Sequence, residues 1–268
     1  MTDGDFSSWI GRSRVATDTA DATSLRRLAA ALGDAAERWR SGFVPPLAHW
    51  LYHLPEDDRS ALGPDGHPAR GDFLPPIAEP KRMWAGGRVA FLAPIAIDAV
   101  IEKQTTIAAI TRKLGRSGAM TLVTLRHEIS TDGTCAIEEE QDLVFLPRAP
   151  FAPPRAIDVP APAASRVMMA DATLLFRFSA LTFNAHRIHY DRDYARDVEG
   201  YPDLVVHGPL QAMFLMNFAL ENGARPSRFA YRGHAPLIVD RPFTVARNGP
   251  FLWVRDDSGT VTMTARID

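Results

Sequence analysis

His207-Gly-Pro-Leu-Gln-Ala-Met-Phe-Leu-Met-Asn-Phe-Ala-Leu-Glu221 is the stretch on which the fold turns. Leu210, Met213, Phe214, Leu215, Met216, Phe218 and Leu220 leave it almost no polar face. A helix that is apolar nearly all round must be buried on most of its sides. Its surroundings read as strands. Val123, Leu125 and Ile129 alternate with Thr124, Arg126 and Glu128, and Ala136 to Leu146 returns after a turn at Thr131-Asp132-Gly133. Near the C-terminus, Val261, Met263, Ala265 and Ile267 alternate with Thr260, Thr262, Thr264 and Arg266. Leu174, Phe176 and Phe178 show the same period and predict a further strand. An α+β architecture follows, in which antiparallel sheet curls around a buried helix.

Outside these elements, Leu25, Leu28, Ala29, Leu32 and Trp39 predict a helix over residues 24–39, capped by Thr23 or Ser24. A turn-rich tract runs from Pro55 to Gly87, and tracts of this length that keep a structure often carry function. Residues 88–146 read as antiparallel sheet. Residues 147–164 hold six prolines in 18 positions, which excludes a helix or a central strand. The chain therefore divides into residues 1–150, a Pro/Ala-rich linker over 151–164, and residues 165–268. No convincing sequence repeat relates the halves.

The 268 residues carry 30 Lys and Arg against 32 Asp and Glu, a formal net charge of −2. That balance argues against a duplex nucleic-acid binder. With 46% hydrophobic and 23% charged residues, the composition is that of a globular protein. One cysteine, Cys135, permits no internal disulfide and no cysteine zinc site. A reducing, cytoplasmic setting fits, with no secretory signal expected. The most apolar stretch, Val89 to Ile101, contains Pro94 and Asp98 and is too short to span a bilayer.

The densest polar cluster is Phe176-Arg-Phe-Ser-Ala-Leu-Thr-Phe-Asn-Ala-His-Arg-Ile-His-Tyr-Asp191, followed by Val205-Val206-His207-Gly208-Pro209-Leu210. At Gly208 a helix start offers unpaired N–H groups and partial positive charge. Pro209 has no N–H, so the free donor there is Gly208, and the missing side chain lets an oxygen approach.

The Asn-x-His-Arg-Ile-His-Tyr-Asp segment and the His-Gly helix start resemble the MaoC-type, (R)-specific enoyl-thioester hydratase branch of the hotdog superfamily. Registered on Ile188-His189-x-Asp191, the family's catalytic His falls on His189 and its catalytic Asp on Asn184. His186 and Arg187 stand where the family has Asn and Pro. Further stretches resemble one subfamily, the 3-methylfumaryl-CoA (mesaconyl) and itaconyl-CoA hydratases with the mitochondrial 3-hydroxyacyl-thioester dehydratases. They are Pro45 to Leu51, Leu62-Gly63-Pro64-Asp65-Gly66, Gly71 to Pro76 and Lys81 to Gly87. The resemblance implies a double hotdog, two antiparallel sheets each wrapping a central helix. The second half would carry the chemistry, and the first would shape the acyl and CoA pocket.

Hydrating a conjugated enoyl thioester needs a base for water, a proton for the α-carbon and stabilisation of enolate charge. Asn184 is not basic and serves only to hold water. His189 is then the expected proton carrier, with Gly208 binding the thioester oxygen and His186 or Asp191 sharing the work. Arg187 is a candidate for a substrate carboxylate, the alternative being an ion pair. Arg82, with Lys81, Arg88, Arg112, Lys113 and Arg116, is a candidate for CoA phosphates against the alternative of a solvated face. Trp84 is a candidate for the acyl tunnel, and His207 for the substrate site. His186, His189 and Asp191 have metal-ligand chemistry, but the resemblance implies no metal and no cofactor beyond the CoA of the substrate. The expected activity is a hydro-lyase. The alternatives are a fatty-acid-synthesis dehydratase, a hotdog thioesterase and a non-catalytic acyl-CoA-binding subunit. No membrane partner is expected, and homo-oligomers are.

Overall fold

A computed structural model describes residues 5–33, 42–115, 118–148 and 155–268. Ten strands form one antiparallel sheet. In chain order they are β1 (Ser13–Thr19), β2 (Lys81–Phe91), β3 (Val100–Gly115), β4 (Gly118–Thr131), β5 (Thr134–Leu146), β6 (Ala164–Met169), β7 (Arg228–Gly233), β8 (Pro242–Asn248), β9 (Phe251–Asp256) and β10 (Val261–Ile267). Their spatial order is β1-β3-β4-β5-β2-β7-β10-β9-β8-β6. Each half thus contributes five strands with one topology, and the two sheets join where β2 pairs with β7, Gly86 opposite Arg232 and Val89 opposite Phe229.

The helices are α1 (Ala22–Leu32), α2 (Ala172–Leu181) and α3 (Gly208–Glu221). α3 packs on β8, β9 and β10. Its Leu210, Ala212, Leu215, Met216 and Ala219 are fully enclosed, as an all-apolar helix requires. Each large side chain so buried stabilises the fold by ~1.5–3 kcal/mol. The one polar intruder is satisfied: Gln211 Oε1 accepts from Thr262 Oγ1 at 2.8 Å.

Several expectations change. Residues 174–178 are helix, not strand. The Asp171 carboxylate accepts from the Leu174 N–H at 2.7 Å, and the buried positions are Leu175, Phe178 and Ser179, a spacing of three and four. Phe176, which the strand reading had inside, is 66% exposed. Helix α1 is capped by Asp21 rather than Thr23 or Ser24; its carboxylate accepts from Ser24 N–H at 2.9 Å. The helix ends before Gly33, and Trp39 lies outside the described residues. Gly86 and Gly87 belong to β2, beside a bulge at Trp84, so the loop tract ends at Pro80. Within 155–163 the chain makes no strand or helix, and Ile157 and Val159 pack on Ala246, Trp253 and Val261.

Among the described residues of the first half, no long helix matches α3; between α1 and β2 they make only the 3₁₀ turns Ala48–Leu51 and Arg59–Ala61. The first of these docks through polar groups. Glu139 of β5, 2% exposed, accepts from Trp50 Nε1 at 2.9 Å and from Gln141 Nε2 at 2.8 Å, and it pairs with His49 Nε2 at 3.0 Å.

The structure also exposes an internal repeat. Ala20-Asp21-Ala22-Thr23 and Ala170-Asp171-Ala172-Thr173 both cap a helix after an edge strand. Ala20 O accepts from Asp98 N–H at 3.0 Å and Ala170 O from Asp240 N–H at 2.9 Å. Both aspartates have positive φ, 67° and 58°. The matched residues are few and spaced unequally in the two halves, and only the shared strand order brings them into correspondence.

Candidate active site

The site forms where the start of α3, the 3₁₀ turn Arg187–His189 and two first-half segments meet. Val205 N–H donates to Ile188 O at 3.0 Å and Val206 N–H to Leu237 O at 2.8 Å, which ties the approach to α3 to the histidine turn. Asn184 shapes that turn: its Oδ1 accepts from the His186 N–H at 2.9 Å. One lone-pair position of the amide is therefore spent on backbone.

His189, 7% exposed, lies with Nδ1 2.7 Å from Val205 O. A carbonyl only accepts, so Nδ1 carries the proton and Nε2 keeps its lone pair. Burial pulls the imidazole down to about 4, against the opposing pull of the Val205 carbonyl, so it is neutral near pH 7. Its ring stacks on His207 at 3.6 Å. His207 is fully buried and held by Ser179 Oγ at 2.8 Å. His207 therefore backs His189 from within the core.

His186 is buried, and its Nε2 has no hydrogen-bond partner among the described residues. Burial and the neighbouring His67, His189, Arg82 and Lys81 keep it neutral. Its ring is 5.4 Å from that of His189 and 4.4 Å from that of His67. His67 is a site residue that sequence reasoning missed. It comes from the first half, on the loop Leu62–Pro68, with Nδ1 3.2 Å from Asp65 Oδ2. The signal was an Asp-Gly-His triplet between two prolines; only docking of the loop gives it meaning. Gly66 makes that docking possible, since a Cβ there would collide with the Ala185 carbonyl. Asp65 O accepts from the Arg187 N–H at 2.9 Å. Asp65, His67 and His186 place their ligand-type atoms within 4.8 Å of one another; Asp191 does not join such a group among the described residues. The charge of Arg82 beside them opposes a cation there.

Gly208 opens α3 against Trp84. A Cβ on it would sit 2.6 Å from Trp84 Cε3. The indole stacks on Tyr231 at 4.4 Å and meets Trp50 edge-on at 5.6 Å, so yielding to a Cβ would disturb that packing. Glycine to alanine in a compatible helix stabilises by about 0.4–1 kcal/mol. Here overpacking reverses the sign, and Gly208→Ala is expected to cost ~1–3 kcal/mol in denaturant melts. In a Trp84→Leu background the same glycine change is expected to cost less, which a double-mutant cycle measures.

Arg187 and Asp191 pair with each other. Arg187 Nη2 and Nε donate to Asp191 Oδ2 at 2.7 and 3.0 Å, and Nη1 donates to Pro64 O at 3.1 Å. The ion-pair alternative thus accounts for this arginine, and Asp191 Oδ1 also caps the next turn through the Tyr194 N–H at 3.0 Å. Arg82 differs. It is half-buried in β2, beside Asp65 and His186, yet makes no ion pair or hydrogen bond among the described residues. Burial lowers it to about 10, and Asp65 attracts it without touching.

A joined pair of five-stranded antiparallel sheets, with a buried helix starting at a His-Gly pair beside a cluster of neutral histidines, defines the double hotdog class of thioester enzymes. HtdX of Mycobacterium tuberculosis shares this fold, with a TM-score of 0.69 at 17% identity over 96% of this chain and 99% of its own. A second M. tuberculosis protein, reported to have a double hotdog fold, superposes with a TM-score of 0.55 at 15% identity over 96% and 95%. The hydroxyacyl-thioester dehydratase type 2 family matches residues 47–239. The mesaconyl-C(4)-CoA hydratase of Chloroflexus aurantiacus is 44% identical over 248 residues, 91% of this chain and 89% of that protein. The chain belongs to the hydroxyacyl-thioester dehydratase type 2 family, and it is a hydro-lyase. No helix among the described residues is long and apolar enough to cross a membrane.

Proposed function

We propose that this enzyme adds water reversibly across the C=C bond of a short, branched, dicarboxylic enoyl-CoA thioester of the 3-methylfumaryl (mesaconyl) or itaconyl type. The observation that carries the reading is Arg82, a half-buried guanidinium beside the histidines with no ion-pair partner among the described residues. A distal carboxylate is the anion that suits it. The name of the 44%-identical relative supports the same acyl class. The Gly208 N–H, at the positive end of α3, binds the thioester oxygen and stabilises the enolate. His189 Nε2 accepts a hydrogen from the attacking water, Asn184 holds the turn that aims His186, and Trp84 walls the acyl group. Residues 165–268 carry most of this chemistry, and residues 1–150 shape the pocket, joined through 151–164.

The test runs 3-methylfumaryl-CoA, itaconyl-CoA and crotonyl-CoA in parallel, following enoyl-thioester absorbance, free thiol and product mass. Gain of one water on a dicarboxylic substrate without thiol release is expected; free thiol means a thioesterase instead. Arg82→Gln is expected to lower kcat/KM on the dicarboxylic substrate by about 10–100-fold, the worth of one hydrogen-bonded charge, while crotonyl-CoA changes little. Equal loss on both assigns Arg82 to the CoA moiety. The family's name supports a second reading, dehydration of unbranched 3-hydroxyacyl thioesters, which reaction of crotonyl-CoA alone would establish.

The exposed edge strands β1 and β6, bearing Val15, Val167 and Met169, support assembly of copies of the chain; sedimentation measures it. The lone thiol of Cys135 suits a cytoplasmic setting.

A further inference from the structure

We propose that the Asp65–His67 pair, delivered from the first half of the chain, is the proton acceptor that replaces the carboxylate absent at Asn184. The inference rests on the hydration reading above and names the group that carries the proton.

Adding water needs a base, and the turn that presents His189 offers none with a counter-charge. Asn184 is an amide, and its oxygen is engaged by the His186 N–H. Asp191 is engaged by Arg187 and the Tyr194 N–H. Asp65 is the carboxylate that does reach the cluster. Its Oδ1 accepts from the His67 N–H at 3.1 Å and its Oδ2 lies 3.2 Å from Nδ1. The carboxylate thereby fixes the ring and its tautomer and leaves Nε2 as a lone pair with no partner among the described residues. The loop is seated on the catalytic turn by Arg187 Nη1 on Pro64 O and by the Arg187 N–H on Asp65 O. His67 and His189 then flank His186, ring to ring at 4.4 and 5.4 Å. In the proposed reaction the attacking water offers one hydrogen to each of these two imidazole lone pairs. They differ in one respect: an imidazolium on His67 stands against a carboxylate, and one on His189 does not.

In the hydration direction, His67 Nε2 takes one proton as the water oxygen bonds to the β-carbon. The C=C pair moves onto the α-carbon–carbonyl unit as an enolate. The imidazolium then returns that proton to the α-carbon and the neutral ring is restored. The net change is addition of H and OH, with no other reactant. His67 is faced by Arg82 and Arg70 as well as Asp65, and by His186 and His189 across the turn.

The test compares wild type, His67→Gln and Asp65→Asn in steady-state hydration of the best thioester, with melting temperatures for each. His67→Gln is expected to lower kcat by 10²–10³-fold with KM changed less than about threefold. Asp65→Asn is expected to lower kcat at least about tenfold. It also moves the acid limb of kcat/KM to lower pH, because removing the carboxylate charge makes the ring harder to protonate. Loop damage alone would shift KM and melting but leave the limb in place. His67→Gln keeping more than a third of wild-type kcat, or an acid limb unmoved in Asp65→Asn, overturns the proposal while the hydration reading stands. Wild-type activity lost to EDTA and restored by a divalent metal overturns it too, since Asp65, His67 and His186 would then be ligands. A wild type silent on every thioester overturns both.

Discussion

His189→Ala is expected to lower kcat by about 10²-fold or more, because the attacking water loses the Nε2 lone pair that orients it. The physical reason lies in how the ring is held. Val205 O accepts a hydrogen bond from Nδ1–H, with N and O 2.7 Å apart, so Nε2 is committed as an acceptor at any pH where the ring is neutral. Its acidity, pulled to about 4 by burial, keeps that condition from pH 5 upward. From sequence, a histidine in a polar loop should add little to stability. The ring is instead 7% exposed and stacked on fully buried His207. Alanine there leaves the Val205 carbonyl unpaired, and a stability cost of ~1–3 kcal/mol should accompany the loss of activity. His189→Gln separates the two effects: the amide can restore the bond to Val205 but supplies no lone pair of imidazole basicity. Folding near wild type with kcat still down at least 100-fold is the expected result. Activity within about tenfold of wild type would leave His67 as the group that holds the water.

Glu139→Ala is expected to cost at least about 3 kcal/mol, because three buried or half-buried donors lose their acceptor at ~1–3 kcal/mol each. That is a large share of the ~5–15 kcal/mol that holds a typical domain folded. The carboxylate binds His49, Trp50 and Gln141 at once, and those contacts are what fasten the Ala48–Leu51 turn to β5. Burial alone would raise this carboxyl; the hydrogen bond and charge of His49, with His127 and Gln141, outweigh it and hold it at about 2, below the ordinary 4.5. The folded-state value is depressed, so the contribution is complete above pH 4.5 and is lost as the pH falls toward 2. At 1.36 kcal/mol per unit it amounts to on the order of 3 kcal/mol. Urea midpoints from pH 7 down to pH 3 should therefore fall more steeply in wild type than in Glu139→Gln. Parallel slopes would assign the acid sensitivity to other carboxylates.

Much of this site was legible in one dimension because its chemistry is local. Asn184, His186, His189, His207 and Gly208 lie within 25 positions, and their roles depend on one turn and one helix start. Arg187 was ambiguous for a physical reason. A guanidinium suits a substrate carboxylate and an aspartate four residues away equally well, and only the distance to Asp191 decides. Residues 174–178 misled because alternating apolar residues over five positions fit both periods. The capping aspartate three residues before Leu174 was the signal that favoured helix. Asp65 and His67 were out of reach. Nothing in the chain states that a loop some 120 positions away lies on the histidine turn, because that contact depends on a bare backbone at Gly66 and on β2 pairing with β7.

The amino-acid sequence by itself determined that a helix apolar nearly all round would be enclosed by antiparallel strands and, through its family resemblance, that a His-Gly helix start would accompany a histidine segment with an amide where the family has aspartate. These are consequences of hydrophobic periodicity and side-chain chemistry, which act over a few residues. The tertiary structure alone decided that His67 comes to lie beside His186, that Arg187 pairs with Asp191, and that the Ala48–Leu51 turn is pinned to Glu139. Those outcomes depend on which groups from distant segments come within a few ångströms, and electrostatics and hydrogen bonding are set at that range.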